Sequence, residues 1–166
     1  MCIRDRGMDF KEYLRARLQN KIGINGTWSN LLDVRIFNSN SRGMARFGLL
    51  ALNEGNWDGE QIYPVEYHQQ MTNTSQELNK AYGYLWWLNG KEDFQITVGQ
   101  TVFPGSLIPN APADMYAALG ANDQKIYVIP SLEMVVVRTG DAAGTESFAS
   151  SSFDNELWGR ISEVIP

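Results

Sequence analysis

Between residues 115 and 140 the chain reads MYAALGANDQKIYVIPSLEMVVVRTG, three runs of strand-favouring residues separated by the short breaks GANDQ and SLE. Breaks this short join consecutive strands as antiparallel hairpins. The apolar residues run on without alternating with polar ones, so both faces of the resulting sheet need a cover. Helices are the obvious cover, and the remainder of the chain supplies them.

DFKEYLRARLQN places Phe10, Tyr13, Leu14 and Leu18 at helical spacing, with Asp9 and Glu12 as an acidic capping pair. In SRGMARFGLLALNEG, Ser41 reads as the N-cap and Gly55 as the stop, and Met44, Phe47, Leu50 and Ala51 share one face. Between these two segments lies a polar stretch containing Trp28. Pro64 opens a short helix, PVEYHQQM, because the first helical position tolerates a missing N–H. The aromatic YGYLWWL suits a strand, and a long excursion rich in Gly and Pro follows it. In SSFDNELWGRISEVI, Ser151 and Asp154 resemble a capping box, and Phe153, Leu157 and Ile161 form a stripe. The predicted class is α+β: helices first, then an antiparallel meander, then one helix packing on it.

Several functions are disfavoured by composition. Fourteen Lys and Arg face nineteen Asp and Glu, for a net charge of −5 without a basic cluster, so neither nucleic acid nor an anionic lipid surface is an expected partner. The single cysteine, Cys2, allows no internal disulfide and no thiolate cluster. The single histidine, His68, reads as an exposed position on the short helix, and one imidazole cannot build a zinc site. No metal or other cofactor is expected. No apolar run approaches the ~20 residues that cross a bilayer, so no transmembrane segment is expected.

Catalytic frames are largely missing. G-x-S-x-G does not occur, and no serine is followed by lysine in an S-x-x-K frame. Ser39 with Arg42 is the nearest approach, and arginine is too basic to take the proton. Walker and Rossmann patterns are likewise not found. The aromatic group Tyr82, Tyr84, Trp86 and Trp87 reads mainly as core, with one face reaching a cleft.

Three stretches together resemble the C-terminal half of the β-lactamase-related serine hydrolases, which include class C β-lactamases, penicillin-binding DD-peptidases and esterases. They are SRGMARFGLLALNEGNWDGEQIYPVEYHQQM, AYGYLWWLNG and the meander itself, and the resemblance runs from about residue 8 to 165. It implies a partial β-lactamase/transpeptidase-like fold over 8–166, with 1–7, containing MCIRDR, as a non-native or disordered start. It further implies a parent protein that attacks an ester or amide, whether β-lactam, peptide or carboxylic ester, through an acyl-enzyme.

The family's K-T-G or H-T-G strand triplet falls, by this resemblance, on Ala118, Leu119 and Gly120, with Ala121 offering a backbone N–H to an oxyanion. Asn122, Gln124, Tyr84 and Trp86 are the implied substrate-cleft residues. Ala118 stands where relatives carry a cation or an imidazole, which favours an ester- or amide-hydrolysing relative over one that anchors a carboxylate. Asn122 and Asp123 occupy the turn, and Asx residues tolerate the positive φ it demands. Two other triplets, KIG at Lys21–Gly23 and RTG at Arg138–Gly140, read as coincidental: the first ends a helix, the second a strand.

The resemblance places the catalytic serine, lysine and Y-x-N tyrosine upstream, and neither motif occurs here. The expectation is therefore a fragment that contains no catalytic residue and is inactive alone, from a bacterial parent that is periplasmic or secreted. A competing expectation is a complete, non-catalytic module holding a glycan or peptide on its Tyr/Trp cluster. It requires that the aromatic face be exposed.

Overall fold

The computed structural model describes residues 7–31, 34–96, 99–144, 150 and 152–165. Helix α1 (Phe10–Leu14) passes through a π turn (Arg15–Gln19) into α2 (Asn20–Ile22). Asp9 caps it by accepting from the backbone N–H of Lys11 and Glu12, and Gly23 ends it in the left-handed region at φ 67°. The lookalike KIG is thus a helix terminus.

The polar stretch that follows is an antiparallel hairpin, β1 (Gly26–Leu31) with β2 (Val34–Ser39). Its polar composition hides it, and Trp28 secures it by packing on Phe10 and Phe37 at ring distances of 5.1 and 5.0 Å. Helix α3 (Ser41–Leu52) begins one residue earlier than its sequence suggests. Asn40 is the N-cap, accepting from Gly43 N–H at 2.8 Å, and Ser41 instead reaches Thr139 at 2.6 Å.

A small ribbon, β3 (Asn56–Trp57) with β4 (Glu60–Gln61), leads to α4 (Val65–Met71). His68, expected at the surface, is buried: its ring lies parallel to that of Tyr63 and edge-on to Tyr116. YGYLWWL is a strand only at β5 (Trp87–Leu88). Before it, Gly83 lies so close to α4 that a Cβ there would sit 2.1 Å from the Met71 carbonyl oxygen, and Leu85 takes φ 64°. A tight turn replaces the strand's first half.

The excursion contains the ribbon β6 (Asp93–Gln95) with β7 (Val102–Pro104). Asn89 pins it, donating to the carbonyls of Ile108, Ala111 and Pro112 and accepting from Ile108 N–H. The meander then runs β8 (Tyr116–Gly120), β9 (Gln124–Ile129) and β10 (Met134–Arg138), all antiparallel, in the sheet order β10-β9-β8-β5.

Both faces are covered. Ala117, Leu119, Tyr127 and Ile129 pack with Trp158 of the C-terminal helix α5 (Ser152–Ser162), while Tyr116, Ile126 and Val128 pack with Ala51 and Trp86 on the α3 side. The expected α5 stripe is met by Leu157 and Ile161, which pack on the first of these clusters. Ser151 of the expected capping box lies outside the described residues. Asp154 is buried, in contact with Lys125 and Tyr127. The architecture is α+β, an antiparallel sheet flanked by helices. Among the described residues no helix is long and apolar enough to cross a membrane.

Candidate active-site groove

β5 pairs with β8 through Trp87–Ala117 and Leu88–Tyr116, so among the described residues the C-terminal half of β8 is a free edge. The direction of its backbone groups follows from alternation. Asn89 N–H donates to the Met115 carbonyl, which sets Met115, Ala117 and Leu119 toward the β5 side and Tyr116, Ala118 and Gly120 toward β9. Gly120 remains extended, at φ −105° and ψ 164°, so the Ala121 N–H points to the same free edge as Leu119.

This edge lines a groove of about 610 Å3. Residues 36–39 of β2, Met44 of α3 and Leu85 of the tight turn supply the opposite walls. The groove brings together Ala118, Leu119, Gly120, Ala121, Asn122 and Gln124. It does not include the other two candidates. Trp86 is a core residue, 4% exposed, stacked on Phe47 and edge-on to Tyr116, because the turn at Leu85 directs it inward. Tyr84 faces a different groove, beside α4.

The loop 121–123 is set by backbone conformation and charge. Asn122 and Asp123 both adopt positive φ, 55° and 56°, the conformation Asx residues tolerate best after glycine. Arg138 Nη1 donates to the carbonyls of Asn122 and Asp123 at 3.2 and 3.0 Å, and Nη2 to that of Asp141 at 2.5 Å. Gln124 spans the same region, its side chain bonded to the Asn122 carbonyl and to both backbone groups of Gly140.

Beneath the loop lies a buried ionic network. Lys125 Nζ is 3.2 Å from Asp123 Oδ1 and 3.0 Å from Asp154 Oδ2, and Tyr127 donates to Asp154 Oδ1 at 2.5 Å. Burial, reinforced by the Asp154 carboxylate, pushes the Tyr127 phenol well above its ordinary value, so it remains a hydrogen-bond donor. Asp123 also accepts from Ala143 N–H at 2.8 Å, which ties the loop to the chain after β10.

The chemistry of the walls follows. Both cations that line the groove, Lys125 and Arg138, are engaged with protein groups. Its hydroxyls are engaged too: Ser39 Oγ donates to the Asn25 carbonyl, and Thr139 pairs with Ser41. Neither is paired with a side-chain base. The groove therefore offers backbone N–H groups, carboxamides and apolar contacts. Sequence reasoning missed Leu85 and the β2 wall, which only the three-dimensional arrangement brings to β8. RTG, read as coincidental, contributes Arg138 and Thr139 to the wall as supports for the loop.

Fold and groove define an α+β arrangement in which the C-terminal half of β8 is an open strand edge among the described residues. No family model and no curated protein matches the chain. Among solved structures it is similar to a Bacillus anthracis protein assigned as a 6-aminohexanoate-dimer hydrolase, with 22% identity and a TM-score of 0.65. The match covers 96% of this chain and 40% of that one, so the chain spans well under half the length of that protein. At this identity the likeness is one of fold.

Proposed function

We propose that this chain forms the substrate-facing wall of a serine hydrolase that cleaves an ester or amide through an acyl-enzyme. The nucleophilic serine and its base belong, on this reading, to a segment outside these 166 residues. The observation that carries the reading is the free edge of β8, where the N–H groups of Leu119 and Ala121 face a groove that holds no activated nucleophile of its own. A backbone donor held on a rigid strand beside the groove suits a developing oxyanion, and on this reading Ala121 N–H is that donor. The fold likeness to a chain assigned as a hydrolase agrees with this role.

Ala118 and the engaged state of Arg138 and Lys125 favour a substrate bound through its amide or ester backbone over one anchored by a carboxylate. Fluorophosphonate labelling is the test. The isolated chain should take up no probe, and a longer protein carrying S-x-x-K and Y-x-N before this segment should be labelled at the S-x-x-K serine. Stoichiometric labelling at a serine within residues 1–166 would overturn the proposal.

A further inference from the structure

A second groove, of about 420 Å3, lies on the other side of the Gly83–Trp86 turn. Leu85 projects to the β8 groove and Tyr84 to this one, so adjacent residues of a single turn serve two different surfaces. Its wall is one face of α4 and the residues after it, with Glu66, Gln69, Gln70 and Asn73 at helical spacing. The side chains of Glu66, Gln69 and Gln70 form no hydrogen bond with the described protein residues.

Tyr84 lines the groove, and the ring of Tyr67 packs beside it. Tyr84 and Tyr67 are 45% and 47% exposed, with ring centroids 6.1 Å apart and planes tilted by 41°. The turn that presents Tyr84 is stiff. Its N–H donates to the Met71 carbonyl, Gly83 N–H donates to the Trp86 carbonyl, and Gly83 has no room for a side chain.

We propose that this groove binds an uncharged, polyhydroxylated ligand, a sugar unit of a neutral glycan. A pre-positioned tyrosine offers an apolar face to sugar C–H groups at little entropic cost. Carboxamides both donate to and accept from hydroxyl groups, which suits a ligand that does the same. The lining holds one carboxylate and no cation, so an anionic ligand is disfavoured. The volume lies in the range of small-molecule sites, roughly 300–1,000 Å3. A peptide would be expected to use apolar side-chain pockets, and these walls are polar apart from Tyr84. The inference does not rest on the hydrolase reading, and a failed labelling experiment leaves it untouched.

The test is an NMR titration of the whole 166-residue chain with maltotriose, cellotriose and chitotriose, beside an anionic heparin disaccharide and a neutral capped tripeptide. The expected result is saturable movement of the Gln69, Gln70 and Asn73 side-chain amide signals with at least one neutral trisaccharide. Tyr84→Ala should weaken that binding about tenfold, with the backbone amide spectrum otherwise preserved. Should Tyr84→Ala disturb the turn, Gln70→Ala on the exposed helix face substitutes for it and should weaken binding several-fold. Absence of movement with every neutral trisaccharide, tighter binding of the anionic sugar or the peptide, or undiminished binding by the variants overturns the proposal.

Discussion

The two faces of the central sheet are built on different terms. On the α3 side, Ile126, Val128 and Tyr116 meet Ala51, Leu88 and Trp86 in an apolar layer, and the buried Tyr116 hydroxyl donates to the Ala51 carbonyl at 3.0 Å. On the α5 side, a comparable apolar layer around Trp158 gives way, at the end nearest the groove, to Lys125, Asp123, Asp154 and Tyr127. Buried ion pairs stabilise weakly, since desolvation cancels much of their attraction, whereas apolar burial stabilises directly. The charged end of the α5 face lies beneath the loop where the sheet bends into two successive left-handed residues, Asn122 and Asp123. The comparison separates a face that holds the sheet together from one that sets the loop beside its open edge.

The sharpest way to break this contrast is to remove the cation. Lys125→Met leaves two buried carboxylates facing each other, and the expected loss in urea denaturation is about 3–5 kcal/mol. A loss below about 1 kcal/mol would mean that the network is a minor feature. On the other face, Gly48→Ala tests tightness of packing. A Cβ there would sit 2.5 Å from Val135 Cγ1 and 2.9 Å from Ile126 Cγ2, both on stiff β-branched side chains. Overpacking costs about 1–3 kcal/mol, and better helix propensity offsets at most about 1 kcal/mol. A net loss is expected, and a stabilised variant would show that the α3 layer has slack.

This contrast also marks how far the sequence could be read. The three strands of the meander, their two-sided cover and the α3 face were legible because each is a local pattern of apolar residues. The hairpin of β1 and β2 was not, because half of its strand residues are polar and its anchor, Trp28, finds its partners only through tertiary packing. The buried pairing of Asp154 was hidden for a related reason. An acid near the start of a helix is ordinarily a capping residue, and only the approach of β9 turns it into the partner of a buried lysine. In the groove, the residues contiguous along β8 and its loop could be named in advance. Trp86 could not be separated from the cleft, since the positive φ at Leu85 that turns it inward has no glycine or asparagine to announce it.

The smallest effect expected also concerns the α3 side, which carries the chain's only imidazole. Tyr63 O–H lies 3.3 Å from His68 Nδ1, and burial holds the Tyr63 phenol up at about 12, so it stays protonated. Burial also lowers the His68 pKa below its ordinary 6.5, while Glu54 opposes that shift and limits it. Because the folded value is the lower one, the stabilising contribution is complete above about pH 6.5, where the imidazole is neutral in both states. As the pH falls below that point the unfolded chain takes up the proton more readily, and stability declines until the folded value is passed. Most carboxylates titrate below about pH 5, so the interval from about 6.5 to 5 isolates this one side chain. Urea midpoints should fall across that interval in the parent chain and stay level in His68→Phe. A level parent profile would place His68 in a less buried setting than the rings of Tyr63 and Tyr116 provide.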